Sequence, residues 1–307
     1  MASAAAPTIW AAILLAGTSV GTLAAAVASQ VVVVPFERAP SPYIVIRVPV
    51  EGRGCEAMLF DTGSNTTVLD PSLALRGGLV GGRETAIESL SGKRRGIIGE
   101  VRGIGFEGIP QTPRIAVAAP LAGLGRIARS VRGLYGHDWL AGTDYLIDYR
   151  NKRIVMGQAG AVPRPAAGWH APLTWASGRA AVTVTIQTNT VEPFTARLLL
   201  DSGADAVALF GRAARAVTSA TDSGGTMWID SGFGIREVQT SKITVTIGGR
   251  SRRLVAQTRS DVIDREEDGL LPTSLFHSVF VGAGERIVVF DADVTIPAAQ
   301  TACRASR

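Results

Sequence analysis

The chain has 307 residues, 46% of them hydrophobic and 19% charged, with a formal charge of +5. That composition excludes an extended disordered chain and allows two domains of ordinary size, each with its own core. The 35 glycines and 15 prolines, set among short β-branched runs, favour an all-β protein rich in turns.

Residues 1–29 are expected to form a signal peptide or an N-terminal anchor. No charge precedes Glu37, Ile9 to Ala16 is a short apolar run, and Ala26-Val27-Ala28 resembles a cleavage site. A signal peptide would ordinarily carry Lys or Arg before the apolar run, and none is present. The uncharged stretch from Ile9 to Val34 is long enough to cross a bilayer, so both readings stand.

Residues 30–157 read as a first lobe. A strand at Val31 to Val34 is followed by an alternating strand from Tyr43 to Val50, a turn, and an apolar approach from Ala57 to Phe60 into Asp61. Asp70 is placed to cap a short helix at Pro71 to Arg76. A hairpin tip is expected at residues 91–96, and Arg153 to Met156 is the closing strand. Lys93-Arg94-Arg95 is the one basic knot, with no aromatic residues between; it reads as a solvated loop, and no nucleic-acid partner is expected.

Residues 158–172 contain three prolines and little periodicity, so they read as a linker. Residues 173–296 then repeat the first half: an alternating strand at Ala180 to Gln187, a turn, and Ala196 to Leu200 leading into Asp201. A short helix is expected at Gly211 to Val217, a second hairpin tip at residues 231–234, and a closing strand at Arg286 to Val289. Residues 297–307 form a tail. Cys55 and Cys303 have no metal-site or redox-pair spacing; one disulfide and two free thiols are both open. His137, His170 and His277 are scattered and read as capping or surface residues, and Asp138, Asp144 and Asp148 as cap and turn acids; neither set suits a metal site.

The repeat is sharpest around Leu59-Phe60-Asp61-Thr62-Gly63-Ser64 and Leu199-Leu200-Asp201-Ser202-Gly203-Ala204, whose aspartates stand 140 positions apart. Ser91-Gly92 and Ser231-Gly232 keep the same offset, and Gly133-Leu134-Tyr135-Gly136 corresponds to Gly269-Leu270-Leu271-Pro272. One Asp-Thr-Gly phrase can be an ordinary turn in which Asp satisfies backbone amides. Two of them, each after an apolar run in a repeated half, point to paired carboxylates. Such a pair cannot ionise freely on both sides, so one member acts as base and the other as acid on a shared water. The hydroxyls of Thr62 and Ser202 can reach across to the opposite loop, while Gly63 and Gly203 allow close approach of backbone to carboxylate.

On these phrases the chain resembles the retropepsin-like aspartic proteases, specifically the bacterial forms with two such domains in one chain. The resemblance implies an all-β fold of two pseudo-symmetric closed barrels with short helices, and an active site between the lobes. It implies an aspartic endopeptidase acting on polypeptide substrates without a cofactor, active as a monomer because both loops lie in one chain. Asp61 and Asp201 are the implied catalytic pair, supported by Thr62, Gly63, Ser64, Ser202, Gly203 and Ala204, with flaps at Ser91-Gly92 and Ser231-Gly232. A Ser64 hydroxyl donating to Asp61 would make Asp61 the ionised member and leave the shared proton on Asp201. Pro272 departs from the glycine that the family places there. The alternative is therefore a catalytically weak or inactive peptide-binding or scaffold protein of the cell envelope. The N-terminal segment places the protein outside the cytoplasm, periplasmic or secreted, or held at the membrane if that segment is retained.

Overall fold

The computed structural model describes residues 31–39, 42–89, 92–109, 113–121, 130–218, 223–230, 235–293, 300, 301 and 303. The proposed signal or anchor segment lies outside them. Among the described residues no helix is long and apolar enough to cross a membrane.

The first lobe contains β1 (Val32–Arg38), β2 (Ile44–Val50), β3 (Gly54–Asp61), β4 (Val68–Leu69), helix α1 (Pro71–Arg76), β5 (Val80–Ser89), β6 (Gly92–Val101), β7 (Arg114–Ala118), β8 (Val131–Gly136), β9 (Thr143–Asp148) and β10 (Arg153–Gln158). The second contains β11 (Ala167–Ala176), β12 (Arg179–Gln187), β13 (Phe194–Asp201), β14 (Val207–Phe210), helix α2 (Gly211–Thr218), β15 (Ser223–Asp230), β16 (Ile235–Ile247), β17 (Arg250–Arg259), β18 (Gly269–Pro272), β19 (Ser278–Gly282) and β20 (Ile287–Asp293), followed by β21 (Gln300–Thr301). This is the expected two-lobed, all-β architecture with two short helices. The Asp70 carboxylate accepts a hydrogen bond from the Ser72 N–H and caps α1.

Within each lobe the order of pairing is the same. β3 lies parallel to β8 and β13 parallel to β18; β4 lies parallel to β7 and β14 parallel to β17. The second lobe closes into a barrel where Thr185 to Gln187 of β12 pair with Thr244 to Thr246 of β16. In the first lobe β6 ends earlier, and a single bridge between Val50 and Ile104 takes the place of that pairing.

One sheet joins the lobes. β9 and β19 pair antiparallel at its middle, flanked by β10 and β1 on one side and by β20 and β11 on the other. Both middle strands are buried along their whole length, as expected for strands covered on two faces. β1 and β11 each begin in this sheet and end in their own lobe, pairing with β2 and β12 respectively. The linker expected at 158–172 is therefore shorter than its composition implied. Residues 167–172 pair with β20, and Gly168, at φ +128°, takes up the bulge between Ala167 and Trp169.

Cys55 and Cys303 are joined by a disulfide, which settles the alternative left open above. It holds the tail beside β21, whose Gln300 and Thr301 pair parallel with Val32 and Val33 of β1. A crosslink spanning 248 residues restricts the unfolded chain strongly, an effect worth about 2–4 kcal/mol.

Candidate active site

Leu59 and Phe60 are buried in the first lobe and Leu199 and Leu200 in the second, so each apolar run fixes where the following aspartate emerges. The parallel pairings set Asp61 opposite Gly136 and Asp201 opposite Pro272. The two loops then meet through four hydrogen bonds. Thr62 Oγ1 donates to the Leu200 carbonyl at 2.6 Å and accepts from the Ser202 N–H at 3.0 Å. Ser202 Oγ donates to the Phe60 carbonyl at 2.7 Å and accepts from the Thr62 N–H at 3.0 Å. Both side chains are almost fully buried, where unmatched hydroxyls would be costly, so this reciprocal set fixes the loops rigidly.

Each glycine lies against the opposite carboxyl group. A Cβ on Gly63 would sit 2.3 Å from Asp201 Cγ, and one on Gly203 would sit 2.7 Å from Asp61 Cγ. Any side chain at either position would displace the facing acid.

Asp61 Oδ1 accepts from the N–H groups of Gly63 and Ser64, at 2.9 and 3.1 Å. Asp201 Oδ1 accepts from Gly203 N–H at 2.7 Å. The two carboxyls also hydrogen-bond to each other. Burial raises the pKa of Asp61, opposed by its two amide donors, the hydrogen bond from Asp201 and the charge of Arg179. Burial raises Asp201 well above its ordinary value, and the neighbouring Asp61 charge raises it further. Two amide donors on Asp61 against one on Asp201, with the stronger upward shift at Asp201, favour the shared proton on Asp201. The reason differs from the one expected. Ser64 Oγ donates to the Thr66 carbonyl, so Asp61 is stabilised by the Ser64 amide and not by its hydroxyl.

Ala204, in the position of Ser64, packs against the small apolar cluster around Ala176 and Ala181. The expected flap residues Ser91, Ser231 and Gly232 lie outside the described residues. Their flanking strands form hairpins, β5 with β6 and β15 with β16. The first tip is narrower than predicted, because Ser89 pairs with Gly92 and residues 92–96 belong to β6.

The surroundings of the pair include Thr67, Arg179 and Glu267, which no sequence pattern marks, and give new roles to Asp138 and His137. Gly136 N–H donates to Thr67 Oγ1, which donates to Asp138 Oδ1, while Thr67 N–H donates to Asp138 Oδ2. Burial raises Asp138 to about 6, against the hydrogen bonds from Thr67. Asp138 thus holds a loop of the first lobe, a role beyond the cap or turn acid expected. The second lobe has Val207, Pro272 and Ser274 at the three corresponding places, so the N–H donor, the hydroxyl relay and the carboxylate are absent together. Pro272 is accommodated because nothing there requires its missing N–H. Gly136→Pro should be destabilising, since it removes a donor and a Cβ there would lie 2.8 Å from the Thr66 backbone. Urea titration should show a loss of at least about 3 kcal/mol; a loss below 1 kcal/mol would contradict this account.

His137 follows Gly136 and is buried, where a capping or surface residue was expected. Its ring lies between Tyr145 and Trp175, with centroids at 6.0 and 5.6 Å. Burial and then the Arg179 charge lower its pKa to about 4. Between 6.5 and that value the unfolded chain binds a proton that the folded one refuses, so stability is full above pH 6.5 and falls as pH drops. The loss is on the order of 3 kcal/mol. Denaturant titrations from pH 7 to pH 4 should show it in the wild type and much less of it in His137→Leu; parallel pH slopes would contradict the assignment.

Arg179, buried at the start of β12, crosses to the other lobe, where its Nη1 donates to the Gly63 carbonyl at 2.9 Å. Its Nη2 donates to both oxygens of the buried Glu267, at 3.1 and 3.2 Å. Its partners are 116 and 88 positions away, which is why no local pattern announced it.

No family model matches the chain, and no curated protein matches it. Its fold is similar to that of an aspartic proteinase from Irpex lacteus, with a TM-score of 0.54 and 11% identity, covering 86% of this chain and 97% of that one. Basic 7S globulin from soybean gives a TM-score of 0.49 and 12% identity over 85% of this chain and 95% of its own. The first likeness gives the chain the all-β, two-lobed fold of aspartic proteinases.

Proposed function

We propose that this chain is an aspartic endopeptidase of the retropepsin-like, two-domain type, with Asp61 and Asp201 as its catalytic pair. The observation that carries the reading is the set of reciprocal Thr62–Ser202 hydrogen bonds, which presents both carboxyls to each other from opposite lobes. The ionised Asp61 takes a proton from a water molecule, and the resulting hydroxide attacks the peptide carbonyl carbon. Asp201 gives its proton to the carbonyl oxygen as charge develops there. Collapse of the tetrahedral intermediate breaks the C–N bond, with the proton held by Asp61 passing to the leaving nitrogen and one hydroxyl proton of the intermediate returning to Asp201. Every proton is accounted for by the pair and one water, and a single chain supplies both acids.

The disulfide favours an oxidising compartment, and the uncharged segment at 1–29 favours export by cleavage or retention as an anchor. N-terminal sequencing of the mature protein distinguishes these two. The functional test is cleavage of an unfolded polypeptide across acid to neutral pH, with a chelator present. Tight peptide binding without turnover would instead support the non-catalytic alternative.

A further inference from the structure

The first-lobe loop is held to the second lobe by an ionic element that has no mirror image. Arg179 is the residue before Ala180, and the pairing of Ala181 with Leu199 places it beside the approach to Asp201. The equivalent place beside Asp61 is held by the neutral Tyr43, just before the pairing of Ile44 with Phe60. Arg179 touches the Asp61 loop at the Gly63 carbonyl, and its counter-ion Glu267 also accepts from Arg265 at 3.1 Å. The Arg179 and Glu267 side chains are 8% and 1% exposed, so the cation acts with little screening by water.

We propose that Arg179 is a positioning residue for the paired acids. It clasps the Asp61 loop to the second lobe and supplies the fixed positive charge under which the two carboxyls share one proton. The charge effect is independent of turnover; its kinetic consequence rests on the proteolytic reading above. Such an element explains why a charged pair is kept in a junction that apolar residues could fill without a desolvation cost. The Arg179 charge lowers both carboxyl pKa values against the burial that raises them. The other titratable and charged groups around the pair are Tyr149 after β9, with Arg38 over its ring, His137 after β8 with Asp138 beside it, and Glu267 and Arg265 before β18. Arg179, unlike these, is a cation acting on both acids.

The experiment is titration of the two carboxyls by NMR in protein carrying 13Cγ-labelled aspartate, with resonances assigned from Asp61→Asn and Asp201→Asn. In Arg179→Gln/Glu267→Gln the lower midpoint of the pair should rise by roughly half to one pH unit. In Glu267→Gln, where the cation loses its counter-charge, it should fall. Arg179→Lys keeps the charge and should stay near the wild-type midpoint, while its kcat drops several-fold with KM little changed, because the link to Gly63 is weakened. Midpoints unmoved in Glu267→Gln and in the folded double variant would overturn the proposal; if the double variant does not fold, Glu267→Gln decides alone. Shifted midpoints in a protein that cleaves nothing would overturn the proteolytic reading and leave this assignment standing. Normal cleavage with unmoved midpoints would do the reverse.

Discussion

Replacing either Asp61 or Asp201 by asparagine is expected to lower cleavage of an unfolded polypeptide by at least about 10³-fold. Asparagine keeps the shape of the side chain and can still accept from the amides of Gly63 or Gly203 through its carbonyl oxygen. What it lacks is the ability to take up or release the proton. The loops themselves are fixed by Thr62 and Ser202, so both variants should fold. The two losses should not add, because the acids work as one unit, and the double variant should be about as slow as either single one. Initial rates at each variant's own best pH are the measurement. Activity within tenfold of wild type in either would remove the pair from the mechanism.

The second large effect concerns stability. Asp201→Asn should stabilise the protein at pH 7 and do so far less at pH 4. The Asp201 carboxyl has a folded pKa well above its ordinary 3.8, chiefly through burial and then through the adjacent Asp61 charge. Between those two values the folded state holds a proton that the unfolded state has released. Stability from this group is therefore complete below the ordinary value and declines as pH rises through the folded one. Asparagine carries no such penalty, so its advantage should grow by about 1.4 kcal/mol for each pH unit of separation. Urea unfolding at the two pH values measures it. An equal shift at both would mean that the acid is not displaced. His137 works in the opposite sense, losing stability toward pH 4, and the wild-type optimum should fall between the two effects.

Much of this arrangement could be read from the chain because it is local or repeated. The apolar approaches to Asp61 and Asp201, the Asp70 cap and both helices follow from short-range periodicity. The repeat equates Gly133 to Gly136 with Gly269 to Pro272, and the two segments take the same parallel pairing in their lobes. Three readings went astray for separate reasons. Residues 167–172 look like linker because of Pro172, the nearby Pro163 and Pro165, and Gly168, yet their partner β20 lies over a hundred positions on and supplies the missing strand. Residues 92–96 look like a turn, but the absence of a side chain at Gly96 makes room in the sheet: a Cβ there would meet Val117 Cγ1 at 2.5 Å. The effect expected of the Ser64 hydroxyl belongs to its backbone amide, because the hydroxyl turns to Thr66. Arg179 and Glu267 belong to neither kind of signal, being unrepeated and 88 positions apart in the chain.

Val207, Pro272 and Ser274 stand where the first lobe has Thr67, Gly136 and Asp138. An assembly of two identical subunits would have to accept each such exchange twice, once on either side of its axis. A covalent pair is spared that constraint, and here one flank carries valine, proline and serine while the other has the Thr67–Asp138 relay. A peptide laid across a twofold-symmetric groove meets identical surroundings whichever way it runs. On the proteolytic reading proposed above, two unlike flanks would distinguish the amino-to-carboxyl sense of a bound strand from its reverse.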